Sequence, residues 1–225
     1  MKSLHRLVLA LILGLGATVL AAGTIPANAA TVTPTVKLSM QYTKLVYGTA
    51  TDVAAEVDSG SAGVYDGSIQ LQARASGATT WKVLRSTAAG TTYGYWTITP
   101  GKNTAYRVVY SGYTSTDSST DSYAAATSPT RTVQVMRNFH AAINSRTLLF
   151  HGRIAPAYAH RSVTIQRKTC AACAFKRFKV IRTTASSTWS VKLPAVSKKT
   201  YFRATIPAGG GYVQSLSPVA YTIRY

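Results

Sequence analysis

Acidic residues are scarce in this chain. Its 225 residues include 6 Asp or Glu against 25 Lys or Arg, which gives a formal net charge of +19. Glycoside hydrolysis needs two carboxyl groups facing each other across a sugar cleft, and the one cluster of more than two carboxylates consists of Asp52, Glu56, Asp58 and Asp66. We interpret these four carboxylates as solvated strand and turn positions, with weak calcium binding as the alternative.

Histidines and carboxylates are kept apart in the sequence. The histidines after residue 29 are His140, His151 and His160, whereas no Asp or Glu occurs after residue 121. A Ser-His-Asp triad needs a carboxylate to orient the imidazole, and no Gly-x-Ser-x-Gly segment is present to carry a nucleophile. The sequence therefore predicts no catalytic residue, no metal site and no cofactor, and we do not expect an enzyme.

The N-terminus has the pattern of an export signal. Lys2 and Arg6 precede an apolar stretch from Leu7 to Leu20, and Ala27-Asn28-Ala29 supplies small residues for a signal peptidase. The apolar stretch is shorter than the roughly 20 residues that span a bilayer, which disfavours the alternative of an uncleaved anchor. Residues 1–29 are therefore predicted to be a signal peptide, and the rest of the chain to be secreted into the extracellular region.

Charge divides the remaining chain into two parts. Residues 30–136 carry 8 Lys or Arg and all 6 acids, a formal charge of +2. Residues 137–225 carry 15 Lys or Arg and no acid, a formal charge of +15. This asymmetry predicts two domains with different surfaces.

The sequence also lacks helical periodicity and repeats a set of short alternating segments. No stretch has an uninterrupted i, i+3, i+4, i+7 apolar stripe, and turn residues separate the alternating segments, as in all-β proteins. The same order of segments occurs twice. The matched pairs are 68–72 with 162–166, 81–85 with 178–182, 96–98 with 189–191, and 104–107 with 200–203. We expect one domain over 30–136 and a second over 137–225.

These segments resemble a known family. The order S-V-x-L-Q, W-K-V, W-x-V/I-x-x-P and T-x-Y-R, followed by a glycine-bearing loop with Tyr113 or Tyr212, is similar to the Ig-like domain repeats of secreted, actinobacterial-type proteins. The resemblance implies an all-β protein of two tandem immunoglobulin-like antiparallel β-sandwiches. It implies spacer, adhesion or accessory roles and carries no catalytic residue across.

The three tryptophans are predicted to be core residues. Trp96 and Trp189 hold matched places and alternate with Ile98 and Val191, which puts them on the inward face of a strand. We expect Trp81 to be a core residue as well.

Only two cysteines are present, and they are close together. Cys170 and Cys173 lie between two alternating runs, at the expected tip of a hairpin. In an exported protein this spacing favours a disulfide bond. A redox site would need the Cys-x-x-Cys segment to lie at a helix N-terminus, and no helix is predicted here. A zinc site would need two further ligands, and the candidates nearby are the three histidines.

The basic second half is the strongest indication of function. Lys168 and Lys179 are expected to project outward together on the hairpin. The candidate residues for binding a polyanion are Arg161, Arg167, Lys168, Lys176, Arg177, Lys179, Arg182, Lys192, Lys198, Lys199 and Arg203. Such a surface suits an anionic cell-wall polymer or glycan; a merely solubilising basic surface is the alternative.

The sequence thus predicts a secreted, non-enzymatic structural or binding protein, retained at the cell wall by its second domain. The alternative function is a partner-binding or inhibitor module that docks on an extracellular protein. No nucleic-acid motif is present, so sequence-specific nucleic-acid binding is not expected.

Overall fold

The structure is a computed structural model that describes residues 29–223. The predicted signal peptide, apart from its last residue, lies outside the described residues. Over 29–223 the regular secondary structure consists of strands. No helix in this range is long and apolar enough to cross a membrane.

The first sandwich is built from twelve strands, several of them very short. They are β1 (Thr31–Val32), β2 (Thr35–Met40), β3 (Lys44–Val46), β4 (Thr51–Ser59), β5 (Ala62–Gly63), β6 (Ile69–Ala75), β7 (Lys82–Ser86), β8 (Gly94–Ile98), β9 (Thr104–Tyr110), β10 (Ser122–Tyr123), β11 (Ala126–Thr127) and β12 (Arg131–Met136). One sheet has β4 between β2 and β8, and β5 also pairs with β4. The other runs β3-β12-β9-β6-β7, with β11 also paired to β9.

The second sandwich repeats this arrangement with fewer strands. They are β13 (Ala141–Asn144), β14 (Leu149–Arg153), β15 (Ser162–Lys168), β16 (Lys176–Arg182), β17 (Thr188–Lys192), β18 (Thr200–Ile206), β19 (Ser215–Leu216) and β20 (Ala220–Thr222). One sheet is β13-β14-β17, and the other is β16-β15-β18-β19 with β20 also paired to β18. In both sandwiches the strand order is that of an immunoglobulin-like fold, so the predicted all-β fold class is confirmed.

Alternation along the strands produces the two cores. In β9, every second residue from Thr104 to Tyr110 is buried, and β4 and β15 alternate in the same way. The buried apolar side chains form one cluster within residues 36–133 and another within residues 139–220. Each cluster draws on both sheets of its sandwich, as expected when two half-apolar sheets pack face to face.

Most pairings are antiparallel, as predicted, but β3 runs parallel to β12. This happens because the chain leaves β2, crosses to the opposite sheet, and covers the edge of β12 before it enters β4. β1 and β10 form a second parallel pair outside the two main sheets.

Strand registers correct one of the matches drawn from sequence. Leu71 and Gln72 on β6 face Arg85 and Val83, whereas Ile165 and Gln166 on β15 face Lys179 and Arg177. β16 is therefore shifted by three residues from the predicted match of 81–85 with 178–182. Both hairpins have a bulge at this point. The sequence match was wrong because an aromatic residue followed by lysine occurs twice here, at Phe175-Lys176 and at Phe178-Lys179.

The two sandwiches touch through the loop before β9 of the first and the loop between β18 and β19 of the second. The Tyr212 hydroxyl donates a hydrogen bond to the Gly101 carbonyl at 2.8 Å. The backbone N–H of Asn103 donates to the Gly211 carbonyl at 2.7 Å. The guanidinium of Arg137 lies 4.0 Å from the centroid of the Tyr212 ring, so this tyrosine is held from both sides.

Candidate anion-binding site

The tip of the β15–β16 hairpin is closed by a disulfide bond. Cys170 and Cys173 are bonded, as predicted from their spacing. The last paired residues below the tip are Arg167 and Lys176. The ammonium group of Lys168 donates a hydrogen bond to the Ala171 carbonyl inside the loop. The disulfide loop therefore positions this lysine at the top of the sheet.

The outer face of the same sheet carries polar side chains that pair across strands. Val163 and Ile165 on β15 point inward and are fully buried, so the alternate residues of the strand face outward. On this outer face, Gln166 lies opposite Arg203 of β18. The Arg203 Nε donates a hydrogen bond to the Gln166 side-chain oxygen at 2.8 Å. Lys168 lies opposite Tyr201.

Cations and aromatic rings alternate along this face. The group, called here the cation–aromatic row, consists of Lys168, Phe175, Lys199, Tyr201, Arg203 and Tyr221. The distances to the ring centroids are 4.0 Å for Arg203 over Phe175, 5.0 Å for Lys168 over Phe175, 5.4 Å for Lys168 over Tyr201, and 4.2 Å for Lys199 over Tyr221. Such contacts hold flexible cationic side chains in place while their N–H groups face solvent.

Part of this row is repeated in the first sandwich. There the Trp81 ring lies between two guanidinium groups, with Arg74 at 4.8 Å and Arg107 at 4.4 Å. Arg107 also donates to the Gln72 side chain at 2.9 Å, as Arg203 does to its own glutamine. Trp81 is therefore a half-buried residue of the outer face, and its predicted core position is wrong.

The other tryptophans are placed as expected. Trp189 is 3% exposed and makes edge-on contacts with Phe139 and Phe150. Trp96 is partly buried, packs against the first core, and lies over Gly94.

Within the cation–aromatic row, three positions of the second sandwich have no counterpart of the same kind in the first. Strand register matches Tyr201 with Ala105 and Tyr221 with Thr132, and the residue before β18, Lys199, matches Asn103 before β9. The second sandwich thus extends a shared aromatic–arginine contact with two tyrosines and one lysine. The lysine was predicted from the sequence but the tyrosines were not, although the i, i+2 spacing of Tyr201 and Arg203 already places both on one face.

Electrostatics favour an anion at this surface. Residues 137–225 contain no Asp or Glu, and the ion pairs found among residues 29–223 join Lys37 to Glu56 and Asp58. The cations of the row therefore have aromatic rings, an amide and a carbonyl as their neighbours. Because guanidinium and ammonium groups bind phosphate and carboxylate oxygens through charge-assisted hydrogen bonds, the row can bind either group.

The structure does not bring all eleven predicted basic residues together. Arg177 shares the outer face, since it lies opposite Gln166. Lys179 lies opposite the buried Ile165, on the other side of the sheet from Lys168, so their expected common face is wrong. The bulge in β16 reverses the alternation that the sequence suggests.

The remaining predicted residues are spread around the second sandwich. Lys192 lies on β17 of the opposite sheet, and Arg182 lines an open cleft with Arg153 and His151. Arg161, Arg167, Lys176 and Lys198 are exposed outside the row.

The clustered carboxylates of the first sandwich form ion pairs and hydrogen bonds with neighbouring side chains. Lys37 bridges Glu56 and Asp58 at 3.1 and 2.6 Å on the outer face of β2 and β4. The Thr97 hydroxyl donates to Asp52 at 2.7 Å and holds the pKa of that carboxyl below its usual range. Among residues 29–223, no group of three or more His, Cys, Asp or Glu side chains is arranged to hold a metal ion.

Comparisons with known proteins return structures only. The chain is similar to the human OSCAR ligand-binding domain, with 14% identity, 85% of this chain and 99% of that chain covered, and a TM-score of 0.31. It is also similar to a two-domain fibronectin type-III segment from chicken tenascin, with 9% identity, 85% and 98% coverage, and a TM-score of 0.46. No family model and no curated protein matches the chain.

Proposed function

We propose that this chain is a secreted, non-enzymatic protein that binds anionic cell-envelope polymers through the cation–aromatic row of its second domain. The domains of the proposal are those predicted from sequence, 30–136 and 137–225, after a signal peptide over 1–29. The first domain, near neutral, serves as a spacer, and the disulfide of Cys170 and Cys173 orders one end of the row.

The observation that carries the proposal is the difference between two otherwise similar outer faces. Both sandwiches have a ring flanked by two cations, so that contact by itself is a property of the scaffold. The second adds Lys199, Tyr201 and Tyr221 at the places of Asn103, Ala105 and Thr132. These additions lengthen the row along one direction of the sheet, as binding to a repeating polymer requires.

Ordering of the cations supports a binding role over a merely solubilising one. A free lysine loses about 1.5–2 kcal/mol of side-chain entropy when it is fixed by a ligand. In the row this ordering is partly complete before binding, because the rings and the Ala171 carbonyl already restrict the side chains. A surface that only solubilises the protein gains nothing from such ordering.

The first sandwich provides the substitutions for a test. The triple variant Lys199→Asn, Tyr201→Ala, Tyr221→Thr gives the second sandwich the residues that already fit the first. The control, Lys192→Thr, removes one positive charge from the opposite sheet and introduces the residue found at the matched position, Thr99. Both variants have the same net charge.

Binding would be measured by sedimentation of residues 30–225 with purified cell walls, and with walls stripped of phosphate polymer, over a salt series. We expect the triple variant to bind at least about tenfold more weakly, with a shallower dependence on salt, and the control to bind like the parent. Equal weakening of both variants would show that net charge alone drives binding and would contradict the proposed site. No binding by the parent at low salt would refute the proposed function.

A further inference from the structure

A second group of cationic side chains lies on the opposite sheet of the second sandwich from the cation–aromatic row. Here the outer face of β14 and β17, together with the end of β16, forms an open cleft of about 570 Å³, a size typical of small-molecule sites. Its nitrogen-bearing side chains are those of His140, His151, Arg153, Arg182 and Trp189. Among the described residues, the lining includes no Asp or Glu and no member of the row.

Strand pairing places four side chains on one face of this cleft. His151 and Arg153 are exposed and two residues apart on β14, so both project outward. His151 lies opposite Ser190 of β17. Arg153 lies opposite Thr188 of the same strand. Because directly paired residues have Cβ atoms about 4.5–5.5 Å apart, one small ligand can contact an imidazole, a guanidinium and two hydroxyl groups here.

The second imidazole reaches the cleft through a close approach of two backbone segments. A Cβ atom at Gly152 would lie 2.8 Å from the carbonyl oxygens of Phe139 and His140, so a glycine is needed for the segment before β13 to pass this close to β14. His140 has a φ of +35°, which is uncommon for a residue with a side chain. Its backbone N–H donates to the Asn138 side-chain oxygen at 3.1 Å. These contacts hold His140 beside the cleft.

The far wall comes from the end of β16 and the turn that follows it. Arg182 is the last residue of β16 and is exposed at the cleft. The Thr184 hydroxyl in the turn lies 2.6 Å from the Thr188 hydroxyl and accepts a hydrogen bond from the Thr188 N–H at 3.1 Å. Since β14 and β16 belong to different sheets, the two guanidinium groups approach the cleft from opposite sides.

The first sandwich has no cation at the places of His151 and Arg153. When the two sandwiches are aligned on their matched tryptophans, the strand registers put Asp52 at the place of His151. They put Ala54 at the place of Arg153. The basic cleft is therefore a feature of the second sandwich and not of the shared fold.

The donors of the cleft suit a phosphate better than a carboxylate. Each guanidinium offers several N–H groups and each imidazole at least one. The indole N–H of Trp189, which is 3% exposed, has no hydrogen-bond partner among residues 29–223, although buried donors nearly always have one. A phosphate monoester presents three strong acceptor oxygens and close to two negative charges, and guanidinium groups bind it through paired hydrogen bonds.

We propose that this cleft binds a small soluble sugar phosphate. Arg153 and Arg182 hold the phosphate from two sides with help from the imidazoles, and the serine and threonine hydroxyls contact the sugar. The site is separate from the polymer-binding surface, because no residue of the cleft belongs to the row.

Three matched ligands test the need for a phosphate. They are glucose 6-phosphate, glucose 6-sulfate and glucose, which share one sugar ring and differ in the group on a single carbon. In titration calorimetry with residues 30–225, we expect saturable binding of the phosphate, binding of the singly charged sulfate at least about threefold weaker, and no binding of glucose. Absence of saturable phosphate binding, or equal binding of glucose, would overturn the proposal.

Trp189 provides a local reporter of the bound ligand. It lies in the cleft wall, the row contains no tryptophan, and Trp81 and Trp96 belong to the first sandwich. In ¹H–¹⁵N spectra, glucose 6-phosphate should shift the indole resonance of Trp189 and leave the other two in place. Shifts confined to the amides of the row would instead place the ligand there and contradict the assignment.

A charge-matched pair of double variants separates the cleft from the overall charge. Arg153→Ala with Arg182→Ala removes both guanidinium groups, whereas Arg146→Ala with Lys176→Ala removes two exposed cations outside the cleft and the row. We expect the first variant to bind glucose 6-phosphate at least about tenfold more weakly and the control to bind like the parent. Equal weakening of both would show that net charge alone attracts the ligand.

A conservative double variant guards against a loss of folding. Arg153→Lys with Arg182→Lys keeps the net charge but lacks the planar fork that contacts two phosphate oxygens at once. It should unfold in urea like the parent and still bind glucose 6-phosphate several-fold more weakly. Parent-like affinity in this variant and in the alanine variant together would exclude the two arginines from the site.

The row and the cleft are distinguished by exchanging the assays. The triple variant Lys199→Asn, Tyr201→Ala, Tyr221→Thr should keep its affinity for glucose 6-phosphate, and the alanine variant of the cleft should sediment with cell walls like its charge-matched control. Loss of sugar-phosphate binding in the triple variant would contradict a separate site, whatever the outcome for polymer binding.

Discussion

The guanidinium of Arg137 lies over the Tyr212 ring at 4.0 Å, and Tyr212 in turn donates its hydroxyl hydrogen bond to Gly101 of the first sandwich. Arg137 also stacks on Tyr158 at 5.0 Å and donates to the Pro156 carbonyl at 2.9 Å. The surrounding residues shield the guanidinium of Arg137 from water, and this burial lowers its pKa below the ordinary value. The joint thus includes a cationic side chain that forms no ion pair within residues 29–223.

Replacement of Arg137 is expected to loosen the joint. In Arg137→Ala, Tyr212 loses its stacking partner, and its bond to Gly101 is then no longer held in place. The two sandwiches should tumble with separate, shorter rotational correlation times in ¹⁵N relaxation measurements, whereas the parent is expected to tumble as one body. Arg161→Ala is the control, because Arg161 is exposed and contacts Tyr158 only at 5.8 Å. Unchanged correlation times in Arg137→Ala would show that the backbone contacts alone hold the joint.

Removal of the disulfide is expected to have a small effect on stability and a larger one on binding. The bond between Cys170 and Cys173 closes a very short loop, so the double variant to serine should lower the free energy of unfolding by no more than about 2 kcal/mol. The loop positions Lys168 and Phe175 at one end of the row. We therefore expect weaker binding to cell walls at a temperature where the variant is fully folded.

Urea unfolding followed by tryptophan fluorescence would give the stability, and the sedimentation assay would give the binding. Parent-like binding by a folded double variant would contradict an ordering role for the disulfide.

The strands of this chain were predictable from sequence, but the faces of some were not. In β6 and β15, apolar residues alternate with polar ones in the sequence, and the buried residues follow the same alternation. β16 lies at a sheet edge, where most side chains are exposed, so the sequence has little contrast between inward and outward positions. The bulge in β16 leaves no recognisable pattern in the sequence, and Lys179 was therefore assigned to the wrong face of the sheet.

The candidate site could likewise be predicted from sequence only in part. The basic residues were evident from composition, because residues 137–225 carry 15 Lys or Arg and no Asp or Glu. The rings that order them were not, because Phe175, Tyr201 and Tyr221 come from three separate segments that only strand pairing brings together. Trp81 was assigned to the core because a tryptophan sandwiched between two arginines cannot be distinguished in sequence from a buried one.

Alkaline pH is expected to destabilise the first sandwich through Tyr106. Burial is the main cause that raises the pKa of this phenol above its ordinary value of 10.0. The folded state therefore favours the neutral form, and the resulting stability is fully present below the unfolded pKa and is lost as pH rises above it. The difference in unfolding free energy between the parent and Tyr106→Phe should be constant from pH 7 to 9 and should shift in favour of the variant above about pH 10.

Urea titrations of both proteins at each pH would measure this difference. Parallel curves for the two proteins up to pH 11 would contradict the assignment.

The turn glycine Gly67 is expected to be irreplaceable, for reasons of packing as well as backbone conformation. Its φ is +85°, and a Cβ atom would lie 2.5 Å from the Tyr110 ring and 2.8 Å from the Gly112 carbonyl oxygen. The Tyr110 hydroxyl is fixed by its hydrogen bond to the Asp66 carbonyl at 2.9 Å, so the ring cannot easily move away. Gly67→Ala should lower the free energy of unfolding by about 2–4 kcal/mol, as the sum of left-handed strain and overpacking.

Gly77 provides the control for this substitution, because the two glycines have nearly the same φ and differ in their surroundings. Its φ is +83°, yet a Cβ atom there would meet nothing within 4 Å. Gly77→Ala should therefore show the conformational part alone, about 1–2 kcal/mol. The difference between the two variants in urea unfolding isolates the contact with Tyr110. If both variants lost the same stability, the Tyr110 ring would have room to move, and the close packing described for this corner of the first sandwich would be wrong.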